Sequence, residues 1–299
     1  MITVFGSINM DLIASTVRLP KPGETVTGTG FSTAAGGKGA NQALAARRAG
    51  AEVRMVGAVG SDNFAAPALA LLSEAGTDLS NVAHVADPTG TALILVGGDG
   101  ENMIAVVPGA NGTVDEMAAV STVAAMKDRD ILMLQMEIPS SAIHRALLDA
   151  NARGITTIVN TAPLTHEAAL LGRMAAIVIA NETEFEMLAS QQGMDDTARE
   201  AAMQRIFRET GQSLIVTLGA EGVIALREGK IYRVKGLDIQ PVDTVGAGDT
   251  FCGYFAASLD QGLNFEQALR RAAVAGSLAC LKPGAQPSIP LASEVEAKL

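Results

Sequence analysis

The chain has 299 residues, 48% of them hydrophobic, with 31 glycines and a net charge of −10. That charge opposes contact with phosphate backbones or anionic membranes, and 3% aromatics with no Trp offers no stacking platform for single-stranded nucleic acid. The length suits one large α/β domain or two small ones. Cys252 and Cys280 are too few for a disulfide framework and read as buried free thiols in a reducing compartment. No stretch reaches about 18 uninterrupted apolar residues, and the N-terminus enters an apolar run without a signal-type pattern. A cytoplasmic protein without membrane or nucleic-acid partners is expected.

Residues 1–8 read as a buried strand leading into Gly6-Ser7-Ile8-Asn9-Met10-Asp11. Asn9 and Asp11 are two apart, so on an extended chain they share a face. An amide and a carboxylate projecting together suit the hydroxyls of a polyol; turn formation is the other reading, since both residue types favour turns. Short strands are expected at 12–15 and 25–31. Ala35-Gly36-Gly37-Lys38-Gly39-Ala40-Asn41-Gln42 then leads into a helix over 43–49. Its glycines open the backbone to a ligand at a helix start, where Lys38 and Asn41 supply donors, or else form a tight turn with a solvated Lys. It is not a P-loop, because Gly39 follows the Lys where Ser or Thr is required. No dinucleotide fingerprint is present at a strand-to-helix junction either.

From Glu52 onward strands and helices alternate. A strand is expected at 53–59, a helix at 64–75, and a hairpin of 91–96 with 102–107 around Gly97-Gly98-Asp99-Gly100. The two helix-free strand pairs read as a small β-sheet built from insertions 10–35 and 88–110, a natural lid whose exposed face suits a second subunit. The strand at 131–136 ends near Glu137, where α/β sheets bind ligands, and Ser140 is expected to cap the next helix. Strands at 156–160 and 176–180 follow. Asn181 and Glu184 then share one helical face, placed either to hold a hydrated Mg²⁺ beside phosphates or to form a capping box. A strand at 213–217, a hairpin of 223–226 with 231–234 and helices at 251–259 and 265–281 complete the pattern. The three histidines are scattered, with no metal spacing or triad, and are expected at the surface.

The stretch that organises the rest is Asp243-Thr244-Val245-Gly246-Ala247-Gly248-Asp249-Thr250-Phe251. It reads as a glycine loop turning into a buried helix, whose first N–H groups lack intrahelical partners and favour an anion, most simply a phosphate. A carboxylate at Asp249 makes sense there if it takes the proton of a hydroxyl attacking phosphorus while the amides hold the transferring group. A purely structural N-terminal Asp is the alternative.

In this order and at these separations, the Asn9, Gly36-to-Asn41, Asn181-to-Glu184 and Asp243-to-Asp249 motifs resemble the ribokinase-like carbohydrate kinase family, over essentially the whole chain. The resemblance implies a doubly wound, mostly parallel α/β sheet with helices on both faces, residues 1–299 forming one domain with a β lid that mediates homodimerisation. It implies ATP- and Mg²⁺-dependent phosphorylation of a sugar hydroxyl, D-ribose to ribose 5-phosphate being the expected reaction. Deoxyribose, fructose, ketodeoxygluconate, a nucleoside, or a sensor without turnover are the alternatives. Carried over by position, Asp249 is the base, and the amides of Gly246, Ala247 and Gly248 form the anion hole. Asn9, Asp11, Gly37, Lys38, Asn41 and Glu137, together with Asp249, contact the sugar. Asn181 and Glu184 act in the Mg-phosphate region, and Thr217 and Gly219 lie beside the nucleotide. A monovalent cation, usually K⁺, is implied next to the anion hole, held by Asp243 and Ser288 side chains and by carbonyls of Val245, Ala279, Lys282 and Gly284; oxygen-only ligation suits a hard cation. Tyr254 departs from the family pattern, in which a small residue follows the glycine at 253.

Overall fold

The computed structural model describes residues 1–299. In chain order the elements are β1 (Ile2–Phe5), β2 (Asn9–Thr16), β3 (Gly28–Gly36), α1 (Lys38–Arg48), β4 (Val53–Gly60), α2 (Ala65–Glu74), β5 (Asp78–Val85), β6 (Gly90–Val96) and β7 (Asn102–Val107). Then come α3 (Glu116–Ala124), β8 (Ile131–Leu134), α4 (Ser140–Ala152), β9 (Thr156–Asn160), α5 (His166–Gly172), β10 (Ile177–Asn181), α6 (Glu182–Ala189) and α7 (Asp196–Thr210). The last part holds β11 (Ser213–Thr217), β12 (Val223–Arg227), β13 (Lys230–Val234), α8 (Ala247–Asp260), α9 (Phe265–Ala279), α10 (Ala285–Ser288) and α11 (Ala292–Glu296).

Nine strands form the main sheet in the order β13-β12-β11-β10-β9-β8-β1-β4-β5, parallel from β11 through β5 and closed at one edge by the antiparallel β12–β13 hairpin. Side chains alternate between two cores because a strand's side chains point to opposite faces in turn. On β8, Ile131 and Met133 enter one cluster of 40 buried residues with α1, α2, α8 and α9, while Leu132 and Leu134 enter a second of 36 with α3 to α7. Strands buried on both faces read as continuous apolar runs, which is why they stand out in the sequence. A second sheet of four strands, β3-β2-β6-β7, stands apart from the first. Its β2 and β6 run parallel, flanked by antiparallel β3 and β7.

From β1 the chain proceeds to β4 and β5 on one side and resumes at β8 on the other, so the strand order reverses between β1 and β8. Ligands of open α/β sheets bind beyond the C-terminal ends of the strands at such a reversal.

Several boundaries differ from expectation. β1 stops at Phe5, and Asn9 and Asp11 open β2 of the small sheet instead of ending a core strand. Helix α1 begins at Lys38, not at 43, because Asn41 N donates to Gly37 O at 2.8 Å and so starts the helix ahead of the apolar run. In the same way α8 starts at Ala247, ahead of the expected 251, with Thr250 N donating to Gly246 O at 2.8 Å. Ser140 is the first helical residue of α4 and makes no cap; Pro139 precedes it in the capping position without a side-chain bond. Strand β5 and helices α3, α5, α7, α10 and α11 stand where the sequence reading places no element. Strand β5 is an edge strand of half-buried and exposed residues, and α7 is closed by Asp195 as N-cap and by Gly211 with φ 74°. All three histidines are exposed; Cys252 is buried, but Cys280 is only half-buried.

Candidate active site

The β1 end, the β8 end and the starts of α1 and α8 meet at the strand-order reversal. Gly37 makes this possible: its φ of 89° is left-handed, and a Cβ there would stand 2.7 Å from the backbone N of Asn9. The close approach ties the start of α1 to the start of β2. Glu137 ties it to β8: its Oε2 accepts from Lys38 N at 3.0 Å and from Ser7 Oγ at 2.5 Å. Asn9 is almost wholly buried, and its Oδ1 accepts from Asn111 Nδ2 at 2.7 Å, which fixes the direction of its amide. Asp11 lies close enough to Glu137 to feel its charge; burial first, and then that charge, push the Asp11 carboxyl up to about 6.

Asp249 is 7% exposed, and both its oxygens are held by amides of α1: Asn41 Nδ2 donates to Oδ2 at 2.9 Å and Gln42 Nε2 to Oδ1 at 3.0 Å. The carboxylate nevertheless borders an open cavity of about 230 Å³ together with Lys38, Asn181, Glu184, Thr217, Gly246 and Gly248. At its mouth Gly246 has φ 77°, and a Cβ there would meet Ala285 at 2.9 Å. The loop therefore packs directly on the tail. The N–H groups of Gly246, Gly248 and Asp249 make no hydrogen bond within the protein, whereas Ala247 N donates to Thr244 O at 3.3 Å. The available amides are thus those of 246, 248 and 249, with Ala247 engaged in closing the turn. Lys38 lies among carboxylates. Asp249 foremost, then Glu137 and Glu184, raise its ammonium pKa against the opposing effect of burial.

Asn181 and Glu184 form a full capping box: Asn181 Oδ1 accepts from Glu184 N at 2.8 Å, and Glu184 Oε2 accepts from Asn181 N at 3.0 Å. Thr161 Oγ1 and Asn181 Nδ2 also donate to that carboxylate, and burial raises its pKa. The pair borders the cavity, yet most of its acceptor capacity is committed. No group of three or more His, Cys, Asp and Glu side chains is placed to hold a metal ion. A divalent ion fits here only with its water shell and with phosphate oxygens as its main ligands, which is the habit of Mg²⁺. Thr217, at the end of β11, lines the cavity, and Gly219 lies just beyond it.

The other residues expected around a monovalent cation gather where the Gly246 loop meets the tail. Asp243 Oδ1 accepts from Val245 N at 3.0 Å and its Oδ2 from Gly284 N at 2.8 Å. Ser288 Oγ donates to Ala285 O at 2.8 Å. The carbonyls of Val245, Lys282 and Gly284 accept no hydrogen bond in the protein, while Ala279 O takes Lys282 N at 3.4 Å. Three open carbonyls beside one carboxylate are chemically suited to a hard cation.

Four polar residues at the site were not singled out from the sequence: Ser7, Asn111, Gln42 and Asn160. Asn160 ends β9 as Asn181 ends β10 and Thr217 ends β11, so the rule that ligands gather at strand C-termini points to it. Gln42 stands within the quoted glycine-rich motif. Asn111 and Ser7 carry no local signal, since their side-chain partners are 32 to 130 residues away.

This arrangement of a helix N-terminus with free amides, a carboxylate beside it and polar side chains converging from a second sheet defines a phosphotransferase acting on a hydroxyl. The chain belongs to the pfkB family of carbohydrate kinases, whose description matches residues 1–292. It is 37% identical to the ribokinase of Haemophilus influenzae over 98% of this chain and 96% of that protein. The ribokinase structure from Thermotoga maritima superposes with a TM-score of 0.87 at 30% identity, covering 99% of this chain and 98% of the other. That of Arabidopsis thaliana ribokinase complexed with ribose and ATP superposes at 0.86 with 30% identity, covering 99% and 97%.

Proposed function

We propose that this carbohydrate kinase transfers the γ-phosphoryl group of ATP to the 5-hydroxyl of D-ribose. The observation that carries the reading is the Asp249 carboxylate at the edge of the cavity, beside the unbonded amides of Gly246, Gly248 and Asp249 itself. In this reading Asp249 accepts the proton of the attacking hydroxyl, a contribution of about 10²- to 10⁴-fold. The amides and the α8 dipole take up the charge on the transferring phosphoryl group.

The sugar is held by Asn9, Asp11, Gly37, Lys38, Asn41 and Glu137. Asn41 Oδ1 is buried without a partner, and so offers an acceptor to a hydroxyl. Two carboxylates with these amide and ammonium groups address several hydroxyls at once and reject a sugar that leaves one of them unpaired. Asn181 and Glu184 orient the water shell of a Mg²⁺ bound to the phosphates; Thr217 and Gly219 border the nucleotide. A bound Mg²⁺ supplies neutralisation of phosphate charge. K⁺ held at Asp243, Val245, Ala279, Lys282, Gly284 and Ser288 stiffens the loop that carries the amides.

Residues 1–299 act as one unit, with the four-stranded sheet as a lid over the sugar. Phe31, Leu93, Met103, Ile104 and Val106 expose apolar surface on it, which suits pairing with a second copy. No helix is long and apolar enough to cross a membrane, and the free thiols fit a cytoplasmic protein. A coupled ADP-release screen over ribose, deoxyribose, fructose, ketodeoxygluconate and nucleosides tests the assignment. Turnover highest with ribose supports it; preference for another acceptor reassigns the substrate, and no turnover with any of them leaves a sensor.

A further inference from the structure

Behind Asp249 stands a row of side-chain amides that the reaction above does not use. Gln135, just past the end of β8, donates from Nε2 to Gln42 Oε1 at 2.8 Å. Gln42 donates from its own Nε2 to Asp249 Oδ1 at 3.0 Å and to Asn160 Oδ1 at 3.1 Å. Asn160 donates from Nδ2 to the backbone carbonyl of Ile179 at 3.2 Å. Gln42 and Gln135 are fully buried, and neither borders the cavity.

An amide has a donating end and an accepting end of nearly the same shape, so its direction is decided by its neighbours. Turned over, Gln42 would aim its oxygen at a carboxylate and at the oxygen of Asn160, and its NH₂ at that of Gln135. Asn160 cannot turn to relieve this without giving up Ile179. The polarity therefore runs one way, from Gln135 past the end of β8 through Gln42 into Asp249, with a branch from Gln42 through Asn160 to the Ile179 carbonyl.

We propose that Gln42 is a positioning residue for phosphoryl transfer: oriented by Gln135 and Asn160, it donates to Asp249 Oδ1 and keeps that carboxylate aimed at the acceptor hydroxyl. This rests on the reading of Asp249 as the base. Hydrogen bonds donated to a buried carboxylate favour its charged form. The titratable groups facing Asp249 are Lys38 on α1, Glu184 on α6 and the Cys252 thiol on α8. The amides of Asn41 and Gln42 are neutral and donate at every pH, so their contact with the carboxylate persists where the flanking charges change.

The test is single-turnover phosphoryl transfer at saturating ribose and MgATP across pH, which reads the base within the ternary complex. Gln42→Leu removes the donor, and Gln42→Glu keeps the side-chain size but replaces the donor by a second carboxyl group. In Gln42→Leu the acidic limb is expected to move up by about one to two pH units. In Gln42→Glu it moves further, since two adjacent carboxyl groups titrate as a pair. KM for ribose stays within about twofold in both, because the binding groups are untouched. Gln135→Leu shifts the limb less, and adds nothing in the Gln42→Leu background, as coupled residues do. Should Gln42→Leu fail to fold, the isosteric Gln42→Glu decides. Limbs that overlay the wild type in the folded Gln42 variants overturn the positioning role. Retained turnover in Asp249→Asn instead overturns the reading of Asp249 itself, so the two failures are distinct.

Discussion

Asn41 and Asp249 lie 208 residues apart in the chain, and their side chains hydrogen-bond at 2.9 Å. That bond joins the first turn of the helix behind the Gly36-Gly37-Lys38-Gly39 motif to the first turn of the helix behind Gly246-Ala247-Gly248. Each motif alone admits a bland explanation as a turn. Packed side by side at the strand-order reversal, the two helix starts put polar side chains and unbonded amides around one carboxylate, the arrangement the proposed transfer requires.

The pH dependence of sugar binding is one consequence. Burial and Glu137 push Asp11 up to about 6 from 3.8. Hydroxyls donating to Asp11 require its ionised form, so KM for ribose is expected to be flat above about pH 6 and to climb below it. The stability sign is opposite: a raised folded-state pKa means protonation of Asp11 favours the fold, a contribution present at pH below 3.8 and lost as pH rises through about 6. Steady-state kinetics over this range check the first statement. Asp11→Asn should abolish the climb, and a climb that persists in that variant removes Asp11 as its source.

Gly37→Ala should damage the sugar site more than the fold. The left-handed φ costs about 1–2 kcal/mol for a residue with a Cβ. The new Cβ would also press on Asn9 N and Ile8 Cα, at 2.7 and 3.0 Å. Gly23→Ala is the control, having φ 84° and nothing within 4 Å. Tenfold or greater loss in kcat/KM for ribose is expected at 37 and little at 23, with KM for ATP nearly unchanged in both (an estimate of about 1.4 kcal/mol per decade). Equal kinetics in the two variants would refute the steric argument.

Tyr254, where a small residue was expected, finds room by filling the space between α8 and the tail. It is fully buried, its hydroxyl donates to Pro290 O at 2.8 Å, and Arg271 lies 5.5 Å from its ring centre. Tyr254→Phe leaves a carbonyl unpaired and should cost about 1–2 kcal/mol of stability, read by denaturant unfolding, without altering kinetics. A variant as stable as the wild type contradicts this packing role.

The apolar surface on the small sheet carries a prediction about assembly. Ile104 and Val106 are 56% and 51% exposed and lie two apart on β7, hence on one face. Ile104→Lys with Val106→Lys should turn a dimer into a monomer in sedimentation velocity. A wild-type protein that already sediments as a monomer excludes the paired lid.

What could be read from the sequence follows a physical division. The core strands were legible because runs such as 131–134 and 177–180 are buried on both faces and uninterrupted by polar residues. The starts of α1 and α8 were not, because Gly39 and Gly248 are poor helix formers and tertiary packing overrides that preference. At the site, the residues grouped by local motif lie together around the cavity: Lys38, Gly246, Gly248 and Asp249. Gln42, Gln135 and Asn160 could not be singled out, since an amide takes its meaning from a partner far away in the chain and from the direction that partner imposes. Asn181 and Glu184 show the limit from the other side: the spacing fits a metal site and a capping box equally, and the box is present.

The most direct measurement is single-turnover transfer from ATP to ribose by Asp249→Asn, beside an independent measurement of ATP binding. The substitution keeps the shape and removes the proton acceptor. Nucleotide affinity is expected within about threefold of the wild type, and the transfer rate lower by about 10²-fold or more. Transfer at the wild-type rate with Asn at 249 would contradict the assignment of Asp249 as the base.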